Sequence, residues 1–177
     1  NVEASAVALE PSTGRILAMV SLPDFDPHAP TNDENARFNR NTLGVYEMGS
    51  TFKIFPIAQA IDEGLINANT MINASSPMKI GKYLIHDFHN YGGQLSVRDI
   101  IAKSSNVGTV RVAQMLGAER QQKFLRELGF FDPTPVEMTE APTGKPLVPS
   151  RWPAVTAATV SFGHGLAASP LHLAAAY

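Results

Sequence analysis

Ser50-Thr51-Phe52-Lys53 sets a hydroxyl and an ammonium three residues apart, and side chains at that spacing share one face of a helix. A serine hydroxyl is a poor nucleophile at neutral pH and needs a base. A lysine serves as that base once desolvation or a nearby cation lowers its pKa. The apolar residues around it, Phe52, Ile54, Phe55 and Ile57, are suited to desolvating Lys53. At a helix start the free backbone N–H groups favour developing negative charge, which makes the Ser50 amide a candidate oxyanion donor. Farther on, Ser104-Ser105-Asn106 places two hydroxyls and an amide at a break between helical patterns.

Neither signal is specific alone. Serine leads the N-cap position of helices, so capping is the plainer role for Ser50, and Ser76-Pro77-Met78-Lys79 repeats the spacing with no helical pattern behind it. Other candidates are weaker. His86 and His89 flank Asp87 without a further ligand cluster, so loop hydrogen bonding is their expected role and no metal is assigned. Gly144-Lys145 fails the phosphate-loop pattern, because Thr139 stands at the first glycine position and Pro146 at the hydroxyl position. Trp152 reads as a packing residue and His164, between two glycines, has no catalytic assignment. No cofactor is called for.

The elements that must position these groups belong to a chain of 177 residues, 44% hydrophobic and 17% charged, which fits one globular domain. At 19.1 kDa about 70% of its surface can be buried, enough for a real core. Fourteen Lys and Arg against 16 Asp and Glu give a net charge of -2 with no basic stripe, which argues against nucleic acid or a polybasic membrane contact. The absence of cysteine excludes disulfides, zinc–thiolate sites and a cysteine nucleophile. No apolar run reaches a membrane span, and no leader-peptide pattern opens the chain. A start at Asn1 and a stop at Tyr177 within a helical pattern read as a fragment of something longer.

Along the chain, Ala6–Leu9 and Ile16–Val20 around Pro11-Ser12-Thr13-Gly14 predict a β-hairpin. Residues 23–44 lack periodicity and predict a long surface connection. Phe52, Phe55, Ala58, Ile61 and Leu65 predict the buried stripe of a helix over 51–65, with Pro56 demanding an irregular first turn or a bend. Residues 71–93 predict irregular structure or short strands. Ser96-Val97-Arg98-Asp99 is an acidic capping box opening a short helix. Two helices follow, one burying Val107, Val110, Ala113 and Leu116 before Gly117, the other packing Phe124, Leu125 and Leu128 before Gly129. Six prolines between 133 and 153 deny regular structure there. A helix over 154–161, a Gly163-His164-Gly165 turn and a last helix capped by Ser169-Pro170 complete the pattern.

Ser-x-x-Lys followed by a Ser-x-Asn-type element is the order found in serine penicillin-recognising enzymes. Tyr46 to Lys53, Lys103-Ser104-Ser105-Asn106-Val107-Gly108, and Phe162-Gly163-His164-Gly165-Leu166 through Ser169-Pro170-Leu171 together resemble the transpeptidase domain of class B penicillin-binding proteins. The resemblance runs from about Ala6 to Tyr177 and is closest to the cell-division, FtsI-type members, with Glu-Met before Gly-Ser and His86-Asp87-Phe88-His89 fitting that subgroup. It implies an α/β (α+β) serine β-lactamase/transpeptidase-like fold, here truncated to an N-terminal β-hairpin plus a helical region, with 1–177 a partial transpeptidase domain.

The resemblance also implies peptidoglycan D,D-transpeptidase chemistry on stem peptides ending in D-Ala-D-Ala. Ser50 would be the nucleophile and Lys53 its base; Ser104 would relay a proton, and Asn106 would hold Lys53 and the substrate amide. β-Lactams would trap Ser50. The parent protein would sit at the periplasmic face of the inner membrane beside division glycosyltransferase partners. The family's Lys-Thr/Ser-Gly strand motif does not occur; Thr143-Gly144-Lys145 reverses its letters among prolines and precedes the helix it should follow. The chain by itself is therefore expected to be feeble or inactive, since one lost oxyanion donor costs about 100- to 1,000-fold. Its hairpin edge is expected to pair with another chain or segment, self-association included. The rival readings are a serine β-lactamase, for which Glu137 and Glu140 lack a matching local motif, and a non-catalytic penicillin-binding or scaffold module.

Overall fold

The computed structural model describes residues 3–29 and 31–177. In chain order its strands are β1 (Ala4–Leu9), β2 (Ile16–Leu22), β3 (Tyr46–Glu47), β4 (Met71–Asn73), β5 (Met78–Ile80), β6 (Tyr83–Ile85), β7 (Gln94–Ser96) and β8 (Ala167–Ala168). The α-helices are α1 (Glu34–Arg37), α2 (Ile54–Asp62), α3 (Val97–Ala102), α4 (Asn106–Leu116), α5 (Ala118–Glu127), α6 (Ala154–Ser161) and α7 (Pro170–Ala176). Short 3₁₀ turns cover Gly49–Lys53 and Ala141–Thr143. The chain is mixed α/β and divides into two compact units.

One unit gathers Asn1–Tyr46, Arg126–Val148 and Ala167–Tyr177. β1 and β2 pair antiparallel from Ala4 opposite Leu22 to Leu9 opposite Ile16, with an irregularity at Ala8/Leu9. Gly14 supplies the positive φ of +71° that closes the turn. The connection over 23–44 departs from expectation: it contains α1, and Arg40, Asn41 and Thr42 are buried rather than on the surface. Long-range polar contacts, which periodicity does not record, hold it inward. Asn41 Nδ2 donates to Val20 O at 2.7 Å and Arg40 N to the Ser21 hydroxyl at 3.1 Å. Glu140 accepts from Asn39 and Thr42, both at 3.2 Å. On α7, Ser169 caps the helix, and the buried His172 ring bonds to Ser169 Oγ at 2.7 Å and Asp132 O at 3.0 Å.

The other unit gathers Glu47–Leu125 and Pro149–Leu166. α4 runs through its middle, with Val107, Gly108, Thr109, Val110, Val112, Ala113 and Leu116 all buried, so that it is enclosed on several sides. Val112 and Leu116 join Ile57, Ala60, Ile72, Leu95 and Ile100 in one apolar cluster; Val107 and Val110 join Met78, Ile80, Ile85 and Ala158 in another. β4 pairs with β7 and β5 with β6; β4, β5 and β6 are short strands within 71–93, and β7 lies just beyond that stretch. Ser96 caps α3 by accepting from Asp99 N at 3.1 Å, and its hydroxyl donates to Asp99 Oδ2 at 2.8 Å. Gly117, at φ +80°, ends α4 as its position predicts.

Helix α2 corrects the expected stripe. Phe52 and Phe55 are buried, but Ala58, Ile61 and Leu65 are exposed, and Pro56, Ile57, Gln59 and Ala60 are buried in their place. Residues 49–53 wind as 3₁₀, with 3.0 residues per turn, so a stripe counted at helical spacing from Phe52 loses phase with the real inner face. Pro56 then falls in the first turn of α2, where its missing N–H costs no intrahelical bond.

Candidate active site

Ser50 lies in the 3₁₀ turn Gly49–Lys53, and at 3.0 residues per turn positions three apart eclipse one another. Ser50 and Lys53 therefore stand in line on one edge of the turn, more closely superposed than an α-helix would place them. Ser50 is exposed, whereas Lys53 is buried at 2% exposure beside Phe52 and Phe55, whose rings meet edge to face.

The start of this turn is braced from the end of α6. Gly49 N donates to Gly163 O at 3.1 Å, and Gly165 N donates to Glu47 Oε1 at 2.6 Å. Gly163 has φ +86°, and a Cβ there would lie 2.0 Å from Gly49 O. Glycine is required by conformation and by space together.

Lys53 Nζ donates to Ser104 Oγ at 2.8 Å and to Ser104 O at 2.5 Å. Two segments 51 residues apart in sequence thus meet at a lysine–serine contact. Ser104 has φ +56°, the left-handed region that ordinary side chains avoid, and among described non-glycine residues it alone takes a positive φ. Burial pushes the Lys53 ammonium down to about 8, with the Asp87 carboxylate acting in the opposite direction.

Asn106 opens α4 and its Nδ2 donates to His86 O at 2.8 Å. Lys53 is held by Ser104, and no hydrogen bond joins it to Asn106 among the described residues. In the sequence Asp87 stands out only between His86 and His89 and within the subgroup pattern, yet it accepts from the Ser105 hydroxyl at 2.7 Å and from Val107 N at 3.0 Å. Its position directly before Phe88-His89 gave no local sign of that role.

Of the other sequence candidates, Ser76 and His86 touch this cluster, through Asp87 N and Asn106 Nδ2. Ser76 and Lys79 form no matching site: Lys79 is on β5, and Ser76 Oγ accepts from Asp87 N at 3.0 Å. His89 packs edge to face with Phe88 and Tyr91, and among the described residues no group of three or more His, Cys, Asp or Glu is arranged for a metal. Trp152 is half-buried and donates to Pro149 O at 3.0 Å. Glu140 is held ionised by its own backbone and by Asn39 and Thr42, a structural acceptor.

A serine in register with a buried lysine of lowered pKa, itself bonded to a second serine, is an arrangement able to support serine–lysine acyl transfer. The "Penicillin binding protein transpeptidase domain" family matches residues 4–177, and the chain belongs to that family. It is 41% identical over 165 residues to the "Probable peptidoglycan D,D-transpeptidase FtsI" of Caulobacter vibrioides, covering 93% of this chain and 28% of that protein. It is 30% identical over 174 residues to the "Peptidoglycan D,D-transpeptidase FtsI" of Escherichia coli, covering 98% and 29%.

Among solved structures, the apo transpeptidase domain of Burkholderia pseudomallei penicillin-binding protein 3 superposes with a TM-score of 0.84 at 28% identity, over 99% of this chain and 49% of that one. The fold is therefore of the transpeptidase-domain kind. The chain spans under a third of the length of those two FtsI relatives. These likenesses favour the transpeptidase reading and lend nothing to the β-lactamase one.

Proposed function

We propose that this chain carries the nucleophile half of a peptidoglycan D,D-transpeptidase site. Ser50 Oγ attacks the carbonyl carbon of the penultimate D-Ala in a stem peptide as its proton passes to Lys53 Nζ. The tetrahedral intermediate collapses, the C–N bond breaks, and the terminal D-Ala leaves with a proton relayed through Ser104 Oγ. An amine of a second stem then attacks the Ser50 ester, forms the cross-link and restores the hydroxyl. Asn106, at the rim beside Ser104, binds the substrate amide in this scheme. The supporting observation is the Lys53–Ser104 contact: a buried ammonium near pKa 8, 2.8 Å from a hydroxyl and in register with Ser50.

A base with a pKa close to working pH combines a usable deprotonated fraction with adequate basicity. In the family pattern a Lys-Thr/Ser-Gly strand completes the oxyanion hole, and that triplet does not occur in these 177 residues. In this reading the activity serves cell division, on the periplasmic side of the membrane and beside glycosyltransferase partners; the likeness to FtsI-type relatives is what supports it. No described helix is long and apolar enough to cross a membrane.

Intact mass after incubation with a penicillin tests the reading, using the chain, its Ser50→Ala variant and a polypeptide continuing through a Lys-Thr-Gly strand. The expected result is a one-drug adduct on the longer polypeptide that Ser50→Ala abolishes. An unmodified longer polypeptide overturns the assignment. Rapid loss of the adduct with penicillin turnover supports the β-lactamase reading instead.

A further inference from the structure

We propose that Asp87 is a positioning residue for this acyl transfer: bound at once to the Ser105 hydroxyl and the Val107 amide, its carboxylate locks the 104–106 turn that presents Ser104 to Lys53. The inference rests on the transpeptidase reading above and names a residue outside the Ser-x-x-Lys and Ser-x-Asn motifs.

Both carboxylate oxygens are engaged. Oδ2 accepts from Ser105 Oγ at 2.7 Å and Oδ1 from Val107 N at 3.0 Å. Ser105 is fully buried, and its hydroxyl accepts from Gly108 N at 2.9 Å while donating to Asp87. The carboxylate therefore acts as a second N-cap of α4, set where the helix dipole favours negative charge.

Asp87 is itself fixed, since its N–H donates to Ser76 Oγ and the preceding carbonyl, His86 O, accepts from Asn106. The turn it holds has stored strain. Ser104 at φ +56° stays there only while its neighbours over-determine it. Ser104 N bonds Ile101 O at 3.1 Å and Ser105 N bonds Ile100 O at 2.9 Å, while Asp87 anchors the following residue. Release of that anchor lets Ser104 relax to an ordinary conformation and carries its Oγ and O away from Lys53 Nζ.

The charge has a second effect. Asp87 opposes the fall in Lys53 basicity caused by burial. Besides Asp87, the charged or titratable residues on the segments that hold or adjoin the Lys53–Ser104 contact are Glu47 before the 49–53 turn, Asp62 on α2, His86 beside Asp87, Arg98 and Asp99 on α3, Lys103 beside Ser104 and Arg111 on α4; α6 carries none. Asp87→Asn preserves size and one hydrogen-bond acceptor but removes the charge, so it shifts the Lys53 titration to lower pH. Asp87→Ala removes charge and anchor together.

The test measures the penicillin acylation rate against pH in the longer polypeptide for the parent, Asp87→Asn and Asp87→Ala, together with the Lys53 Nζ titration by NMR. Asp87→Ala is expected to acylate about 10- to 100-fold more slowly, the cost of ångström-scale misplacement. Asp87→Asn is expected to fold and to move both the acylation midpoint and the Lys53 titration midpoint downward in pH. A merely structural aspartate would lower melting temperature with neither midpoint moving, and that result overturns the proposal. Parental rate and pH profile in both variants overturn it as well. If the parent itself is not acylated, the transpeptidase reading fails first, and an unmoved Lys53 titration in Asp87→Asn then refutes the electrostatic role independently.

Discussion

Lys53 carries its ammonium into a site of 2% exposure, where the charged form is disfavoured. Its native pKa near 8 lies below the unfolded value of 10.5, so between those values the unfolded chain binds more protons and stability rises with pH. The penalty of the buried charge is fully present below about pH 8 and is relieved as the pH climbs toward 10.5. Lys53→Met is accordingly expected to stabilise the protein at pH 7 by about 1–3 kcal/mol in urea unfolding, at about 1.4 kcal/mol per pKa unit. That gain should shrink toward pH 10. The same variant loses acylation, and a destabilising lysine that activity needs is the trade expected at a functional site. A gain that stays constant across this pH range would show that burial of the charge is not its source.

At the scale of elements, the turn after α6 holds the residue before the nucleophile. Gly163 and Gly165 share φ +86°, but they differ in surroundings: a Cβ on Gly163 meets Gly49 O at 2.0 Å, whereas on Gly165 the nearest atom is Thr159 Oγ1 at 3.5 Å. Both alanine variants incur the left-handed penalty of about 1–2 kcal/mol. Only Gly163→Ala must also displace Gly49, and with it Ser50. Gly163→Ala is therefore expected to slow acylation by about 10-fold or more. Gly165→Ala should lower the melting temperature with a much smaller kinetic effect. Equal acylation rates in the two variants would contradict a bracing role for the Gly49–Gly163 contact.

At the scale of the whole molecule, the β1–β2 hairpin is a two-stranded sheet with no third strand among the described residues. α7 packs against β1, yet Leu17 is 58% exposed and Val20 48%. A two-stranded ribbon is marginal alone, and an open apolar edge is a template for pairing. A net charge of -2 offers little repulsion to oppose association. The chain alone is expected to self-associate as its concentration rises in sedimentation velocity, and Leu17→Lys to reduce that association. A monomer at all accessible concentrations would mean the edge is protected within the chain.

The sequence by itself determined what is local. Helix caps at Ser96 and Ser169, the stop at Gly117 and the inner stripe Val107, Val110, Ala113, Leu116 follow from side-chain chemistry within a few residues. The order of Ser50, Lys53, Ser104 and Asn106 marks the family independently of packing. Tertiary structure decided how far Lys53 is buried, the phase of α2 after its 3₁₀ start, the burial of Arg40 to Thr42, and the grip of Asp87 on Ser105. Those properties depend on partners 18 to 98 residues away in sequence. Propensity and periodicity carry no signal across such separations. The pKa of a lysine and the strained φ of Ser104 are set by what closes around them, and only the folded chain supplies it.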